Sequence, residues 1–158
     1  MRSLVFTRSD PAWLDLPIRA FEGGIAGHVA CRIADEVIDC TFWGRGVRSQ
    51  PYDQWAQGRI IVADIPVDMP AGRAADEWLT RQIGKRYDIT GVLGFLAWRD
   101  WSTDESWYCS ELAAAWLQAG GLAVPATRHA RVGVRLVHDI AHALHLGRQS
   151  SLPQWDAL

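Results

Sequence analysis

The first half of the chain shows the two-residue period of β-strands. Short runs rich in β-branched and aromatic residues predict strands at residues 4–7, 28–33, 37–42 and 59–67. Ala34-Asp35-Glu36 joins the second and third runs, and its length is that of a hairpin connection. Helical turns are also predicted over 11–21, with Asp10 as the cap, and over 51–57. This half therefore predicts several strands, two of which form a hairpin that His28 opens.

The second half shows the period of helices. Apolar side chains fall on one helical face in residues 71–83, 108–119 and 135–146, and more weakly in 89–98. Gly84 and Gly120-Gly121 follow the first two of these segments, as is typical of helix ends. Strands followed by helices predict an α+β fold.

Length and composition restrict the class of protein. The chain has 158 residues, of which 49% are hydrophobic and 22% charged, and this predicts one globular domain over 1–146 with a C-terminal tail over 147–158. A formal net charge of -2 gives no field that attracts nucleic acid. No window reaches the ~18 apolar residues of a membrane span, so we expect no integral membrane segment. The sequence gives no indication of the oligomeric state.

The number and spacing of the cysteines indicate the redox state of the compartment in which the protein works. Cys31, Cys40 and Cys109 form no disulfide framework, and their odd number leaves at least one free thiol. The first residues lack the long apolar stretch of an export signal, so we expect the protein to be cytoplasmic at synthesis. A reducing compartment keeps a thiol reactive. Cys31 and Cys40 lie in apolar strand-like runs, where we expect them to be structural.

Cys109 is the strongest candidate for chemistry because it lies in the first turn of a predicted helix. Backbone N–H groups point at such a position, and the positive end of the helix macrodipole favours the thiolate. The same N–H groups are suitable donors to the oxyanion that forms when sulfur attacks a carbonyl. The alternative is that Cys109 is a small buried apolar side chain, as free cysteines often are.

A thiolate nucleophile needs a base, normally an imidazole that a third polar group orients. His28 begins one strand of the predicted hairpin, and Asp39 lies on the other strand between two apolar residues. Cross-strand adjacency is able to bring the two side chains together. The alternatives are an ordinary strand-edge histidine and an aspartate that faces solvent.

Three histidines share one face of the predicted 135–146 helix, namely His138, His142 and His145. This helix lacks the Glu of a His-Glu-x-x-His zinc motif, and no cysteine pair is close in sequence. We therefore expect a polar face here, with no metal site and no cofactor.

Several short motifs follow one another over about residues 20–120. They are Gly27-His28-Val29-Ala30, Val37-Ile38-Asp39-Cys40 with Gly46-Val47, Gly84-Lys85-Arg86-Tyr87-Asp88, and Trp107-Tyr108-Cys109-Ser110-Glu111-Leu112. In this order they resemble the circularly permuted NlpC-type papain-like cysteine peptidases and amidases (the YiiX-like group), in which the histidine strand precedes the cysteine helix. The chain also resembles small bacteriophage and prophage proteins of this kind.

The resemblance implies a permuted papain-like core in which an antiparallel sheet packs against the helix carrying the cysteine. It implies Cys109 as nucleophile, His28 as base and Asp39 as the third catalytic residue. If Asp39 faces away, Glu22, Asp35 or a backbone carbonyl is left to orient the imidazole.

The resemblance also suggests residues that line the site. It implies that Tyr87 lies beside the cysteine and helps to bind the oxyanion. Tyr108, Ser110 and Trp43 are the further candidates for oxyanion or substrate binding.

Different functions remain open at this point. The first is hydrolysis of an amide in a peptide or a peptidoglycan stem peptide, with a phage or secretion route delivering the protein to the cell wall. The second is lipid acyl transfer or thioester hydrolysis of the lecithin:retinol acyltransferase type, although those enzymes favour Asn-Cys-Glu-His where this chain has Tyr108-Cys109-Ser110-Glu111. The third is a non-catalytic phage protein on the same fold.

Overall fold

The computed structural model describes residues 1–9, 20, 23–41, 46–89, 106–124 and 132–151. Almost all of the helix predicted over 11–21, most of the weak helix over 89–98, and Trp43 lie outside the described residues. Within them the protein is mixed α+β, as the sequence predicts, with an antiparallel five-stranded sheet, a short parallel pair of strands and four helices.

The elements are numbered here in chain order. The strands are β1 (Arg2–Ser9), β2 (His28–Ile33), β3 (Glu36–Thr41), β4 (Gly46–Pro51), β5 (Arg59–Pro66), β6 (Arg86–Tyr87) and β7 (Ser106–Trp107). The helices are α1 (Tyr52–Ala56), α2 (Gly72–Thr80), α3 (Cys109–Ala119) and α4 (Val134–Ser151). The large sheet has the strand order β4-β3-β2-β1-β5.

The β2–β3 hairpin is paired only near its turn. The turn is Ala34-Asp35, and pairing extends from it to Cys31 opposite Ile38. Farther from the turn, β2 pairs with β1 and β3 pairs with β4, and the described register shows no pairing between β2 and β3 there. His28 and Asp39 lie on these stretches, so they flank an opening in the hairpin.

The two faces of the large sheet bury different side chains because successive residues of a strand point to opposite sides. The face that packs against α3 buries Leu4, Phe6, Val29, Cys31, Ile38 and Cys40. The opposite face packs against α1 and buries Val5, Ala30, Val37 and Trp55. By the same alternation, His28 and Asp39 belong to the α1 face.

Helix α3 lies between the sheet and the other two long helices. It contacts β2 and β3 on one side and α2 and α4 on the others. Leu112, Trp116 and Leu117 are almost completely buried, as the periodicity of the sequence predicts. Burial of each such side chain contributes about 2 kcal/mol to stability, so the position of the first turn of α3 is fixed by a well-packed helix.

The short parallel pair β6–β7 connects the sheet edge to α3. Tyr87 is opposite Trp107 in this pair, and Trp107 lies two residues before Cys109, the first residue of α3. The Val47 N–H of β4 donates to the Lys85 carbonyl at 2.9 Å. Gly46 has a φ of 129°, and a Cβ there would lie 2.0 Å from the Lys85 oxygen. Only glycine therefore permits this close approach.

Helix α4 continues beyond its predicted end. It extends to Ser151, although the sequence predicts a tail from residue 147. A glycine such as Gly147 inside a helix lowers helix stability by about 1 kcal/mol relative to alanine. The helix continues through it because its other residues favour the helical conformation. Residues 152–158 lie outside the described part of the chain. No described helix is long and apolar enough to cross a bilayer.

Candidate active site

Cys109 is the first residue of α3 and differs from the other two cysteines in its surroundings. Its side chain is partly exposed, whereas Cys31 and Cys40 are buried, and all three are free thiols. Burial raises the pKa of both the Cys31 and the Cys40 thiols well above the ordinary value. Cys40 donates its S–H to the Trp107 carbonyl at 2.9 Å. The two buried thiols are therefore poor nucleophiles, and Cys109 is the accessible one.

His28 begins β2, and its imidazole lies near enough to Cys109 for the two side chains to interact. Its side chain is 18% exposed. Burial lowers the pKa of His28, but the negative charges of Cys109 and Asp39 outweigh burial, and the pKa rises from 6.5 to about 9. The imidazole is therefore protonated at neutral pH when the thiolate faces it.

Asp39 is a buried carboxylate that faces His28 from β3. Its Oδ2 lies 3.6 Å from His28 Nε2 and accepts a 2.6 Å hydrogen bond from the Trp55 indole N–H. Burial raises the pKa of Asp39, but the charges of His28 and Arg48 and the hydrogen bond from Trp55 more than offset it, so the pKa is lowered. The carboxylate therefore stays ionised. Asp39 faces the imidazole, so Glu22 and Asp35 are not needed to orient it.

The open end of the hairpin explains how Cys109 reaches these residues. Helix α3 packs on one face of the sheet, whereas His28, Asp39 and Trp55 belong to the other. Since β2 and β3 are not paired at this end in the described register, no ladder of backbone hydrogen bonds separates Cys109 from His28. The site thus lies where the two packing layers meet at one end of the sheet.

Tyr87 lies close to the sulfur of Cys109. Burial raises the pKa of the Tyr87 phenol, and the negative charge of Cys109 raises it further. The phenol therefore stays protonated, as a hydrogen-bond donor to an oxyanion must be. The β6–β7 pair accounts for this proximity because it aligns Tyr87 with the residue two positions before Cys109.

Tyr108 and Ser110 flank the cysteine but are engaged with the core. The Ser110 hydroxyl donates to the Val132 carbonyl at 2.6 Å and is buried. Tyr108 is also buried and makes a hydrogen bond with the Val132 backbone. Both side chains thus hold the start of α3 against the residues before α4. Because its hydroxyl is engaged with Val132, Ser110 has only its backbone N–H to offer to an oxyanion. Trp43 lies outside the described residues.

Sequence reasoning missed Trp55, Arg48 and Arg59, which surround the Asp39 carboxylate. Arg48 Nε lies 3.5 Å from Asp39 Oδ1, and Arg59 Nη2 lies 3.7 Å from Oδ2. The available signal was weak: an aromatic residue in a short helix and two ordinary arginines in or beside strands. Their convergence depends on which face α1 covers, and this is a property of tertiary packing.

The described residues contain no group of His, Cys, Asp and Glu side chains suited to hold a metal ion. His138 and His142 stack on each other, with 6.0 Å between ring centroids, and His138 also packs edge-on against Phe6. These contacts agree with the polar and half-buried helix face that the sequence predicts for this segment.

The fold and site define a mixed α+β protein in which a cysteine, a histidine and an aspartate meet at one end of an antiparallel sheet. No family model matches the chain, and comparisons with curated proteins and with solved structures returned no significant match.

Proposed function

We propose that the protein is a cysteine hydrolase that cleaves an amide bond through an acyl-enzyme on Cys109. The observation that carries the proposal is the chain of contacts from the partly exposed Cys109 through His28 to the buried Asp39. This arrangement supports the assignment of a nucleophile, a base and an orienting group, the three parts that nucleophilic catalysis uses. A buried structural cysteine has no need of such partners.

The proposed reaction has two stages. The Cys109 thiolate attacks the amide carbonyl carbon, and the C–N bond breaks as the His28 imidazolium gives its proton to the leaving amine. Water then attacks the thioester, His28 takes a proton from it, and the C–S bond breaks to release the acid and the thiolate. His28 Nε2 faces Asp39, which leaves Nδ1 to serve the sulfur.

The proposed oxyanion site is formed by the first turn of α3 and Tyr87. Backbone N–H groups at the start of a helix have no intrahelical partner and point at an anion placed there. The phenol of Tyr87, close to the sulfur, is a further donor. Removing one donor of this kind typically reduces kcat about 100-fold or more.

A permuted papain-like core of the NlpC type is the finer fold that we propose. Three features support it: the antiparallel sheet, its packing against the helix that begins with the cysteine, and the position of the histidine strand before that helix. The proposed substrate class, a peptide or peptidoglycan stem peptide, rests on the resemblance of the motifs to that group. The same is true of delivery to the cell wall by a phage or a secretion route.

Loss of the sulfur tests this function. We expect Cys109→Ala to abolish release of new amino groups from purified stem peptides, while the far-ultraviolet circular dichroism and the thermal midpoint remain close to wild type. Cys31→Ala, which removes a buried thiol on the same face of the sheet, is the matched control and should retain activity. Turnover by Cys109→Ala at the wild-type rate would rule out the mechanism.

Acyl transfer to or from a lipid proceeds through the same kind of thioester and is the competing outcome. Intact-mass analysis after incubation with a lipid ester would then show an acyl group on Cys109. Such labelling, without turnover of any peptide, would replace amide hydrolysis by acyl transfer as the function. If neither acyl labelling of Cys109 nor turnover of a peptide is observed, the result favours a non-catalytic protein.

A further inference from the structure

Two arginines converge on the Asp39 carboxylate. Arg48 comes from β4, directly opposite Asp39 in the strand register, and Arg59 begins β5. Their side chains are 44% and 24% exposed, whereas the carboxylate between them is inaccessible. The guanidinium groups therefore lie at the surface of the site and the aspartate beneath it.

Asp39 does not satisfy both guanidinium groups. Its Oδ2 already accepts the short bond from Trp55 and faces His28, and the distances of 3.5 and 3.7 Å to the arginines exceed those of good charged hydrogen bonds. Among the described residues, no other carboxylate lies within ion-pair distance of Arg48 or Arg59. Each guanidinium carries five N–H donors, so most of these donors are available to a further acceptor.

Trp55 fixes the orientation of one of the two cations. The Arg59 guanidinium lies over the Trp55 ring, with Cζ 4.7 Å from the ring centroid. This stacking holds the plane of the guanidinium and leaves its edge free for a planar anion. Burial lowers the pKa of Arg59, the Asp39 carboxylate raises it, and the positive charge of Arg48 lowers it again. The two cations therefore share one carboxylate, and a second anion would have two guanidinium groups to bind.

We propose that Arg48 and Arg59 form a subsite for a carboxylate of the substrate, so that the protein prefers anionic peptides. Arg48 and Arg59 bring two positive charges to the single Asp39 carboxylate, and a substrate carboxylate supplies a second negative charge. The inference rests on the proposed cysteine hydrolase function, because the carboxylate belongs to the substrate whose amide Cys109 attacks.

Three alkylating reagents with the same skeleton test this inference. They are N-iodoacetyl-glutamine, with a terminal carboxylate; N-iodoacetyl-isoglutamine, with a side-chain carboxylate; and N-iodoacetyl-glutamine amide, which is neutral. In each case the Cys109 thiolate displaces iodide and forms a C–S bond. We expect one of the anionic reagents to react faster than the neutral one at low ionic strength. The faster of the two identifies which carboxylate the subsite takes.

Arginine variants assign the preference to the subsite. We expect Arg48→Gln and Arg59→Gln each to reduce the anionic-to-neutral rate ratio about threefold, which is the order of magnitude for the loss of one partly screened charge. Arg48→Lys and Arg59→Lys keep the positive charge, so each should retain most of the anionic-to-neutral rate ratio. This comparison stays informative where a glutamine variant lowers the stability of the fold. Arg73→Gln, at an exposed position of α2, is the matched control and should leave the ratio unchanged.

The outcomes separate this inference from the function on which it rests. If the neutral reagent labels folded Cys109 faster than the denatured chain but neither anionic reagent has an advantage, the subsite is refuted and the proposed nucleophile stands. The subsite is also refuted, and the nucleophile stands, if the anionic-to-neutral rate ratio is unchanged in both Arg48→Gln and Arg59→Gln. If the neutral reagent labels folded Cys109 no faster than the denatured chain, the proposed function itself fails.

Discussion

Asp39 is the residue whose surroundings are hardest to predict from the sequence. Alternation along a strand does not distinguish a solvent-facing aspartate from one that faces a second packed layer. The structure places the carboxylate under α1, where the Trp55 indole, His28 and two arginines surround it. A buried carboxylate needs such partners because burial without them is costly.

Replacement of Asp39 by Asn tests the role of its charge. The carboxylate is one of the groups that raise the pKa of His28 to about 9, so its loss lowers that pKa, and the imidazolium is lost at a lower pH. We expect the alkaline limb of kcat/KM, near pH 9 in the wild type, to move to lower pH, with a fall in kcat on the order of tenfold or more. The pH profile of peptide turnover measures both effects.

Asp64→Asn provides the control for this prediction. Asp64 lies on the same sheet and pairs with Arg32 at 2.9 Å, so its replacement removes a comparable ion pair away from Cys109. We expect its alkaline limb to stay in place. An unchanged limb in Asp39→Asn would show that the carboxylate does not control the protonation of His28.

At the scale of elements, the contact between β4 and the segment before β6 joins the edge of the large sheet to the β6–β7 pair, which aligns Tyr87 with Trp107. Gly46 is required here for two separate reasons: its φ of 129° and the 2.0 Å approach of the Lys85 oxygen to a Cβ. A comparison with Gly84, which has a φ of 92° but no atom near its Cβ position, separates backbone strain from steric contact.

We expect Gly46→Ala to destabilise the protein by about 2 to 4 kcal/mol, since strain and a contact with backbone both oppose it. Gly84→Ala carries the strain alone and should cost about 1 to 2 kcal/mol. Urea unfolding of the two variants measures the difference. Equal losses of stability would mean that β4 and Lys85 do not approach as closely as described.

The elements also show how far the sequence is informative. The bounds of β2 and the span of α3 follow from local patterns, as do the positions of α1 and β5. The β6–β7 pair does not, because two residues in each strand are too few to show a period. The position of Cys109 in the first turn of a helix was predictable, whereas the Trp55–Asp39 bond depends on the packing of α1 across the sheet.

At the scale of the whole molecule, the site exists only when the fold is complete. His28 and Cys109 are far apart in sequence and belong to different packing layers, and they meet at the open end of the β2–β3 hairpin. Any special reactivity of Cys109 must therefore disappear when the chain unfolds. The same arrangement leaves Cys31 and Cys40 buried and unreactive.

The rate at which iodoacetamide labels Cys109 at pH 6 tests the central claim most directly, with sites identified by peptide mass analysis. An ordinary thiol is only about 0.3% thiolate at this pH and reacts slowly, whereas a neighbouring imidazole base is expected to make the sulfur of Cys109 more nucleophilic. We expect folded wild type to be labelled at Cys109 at least tenfold faster than the denatured chain, and His28→Ala to lose this advantage. A rate in the folded wild type no greater than that of the denatured chain would contradict the account.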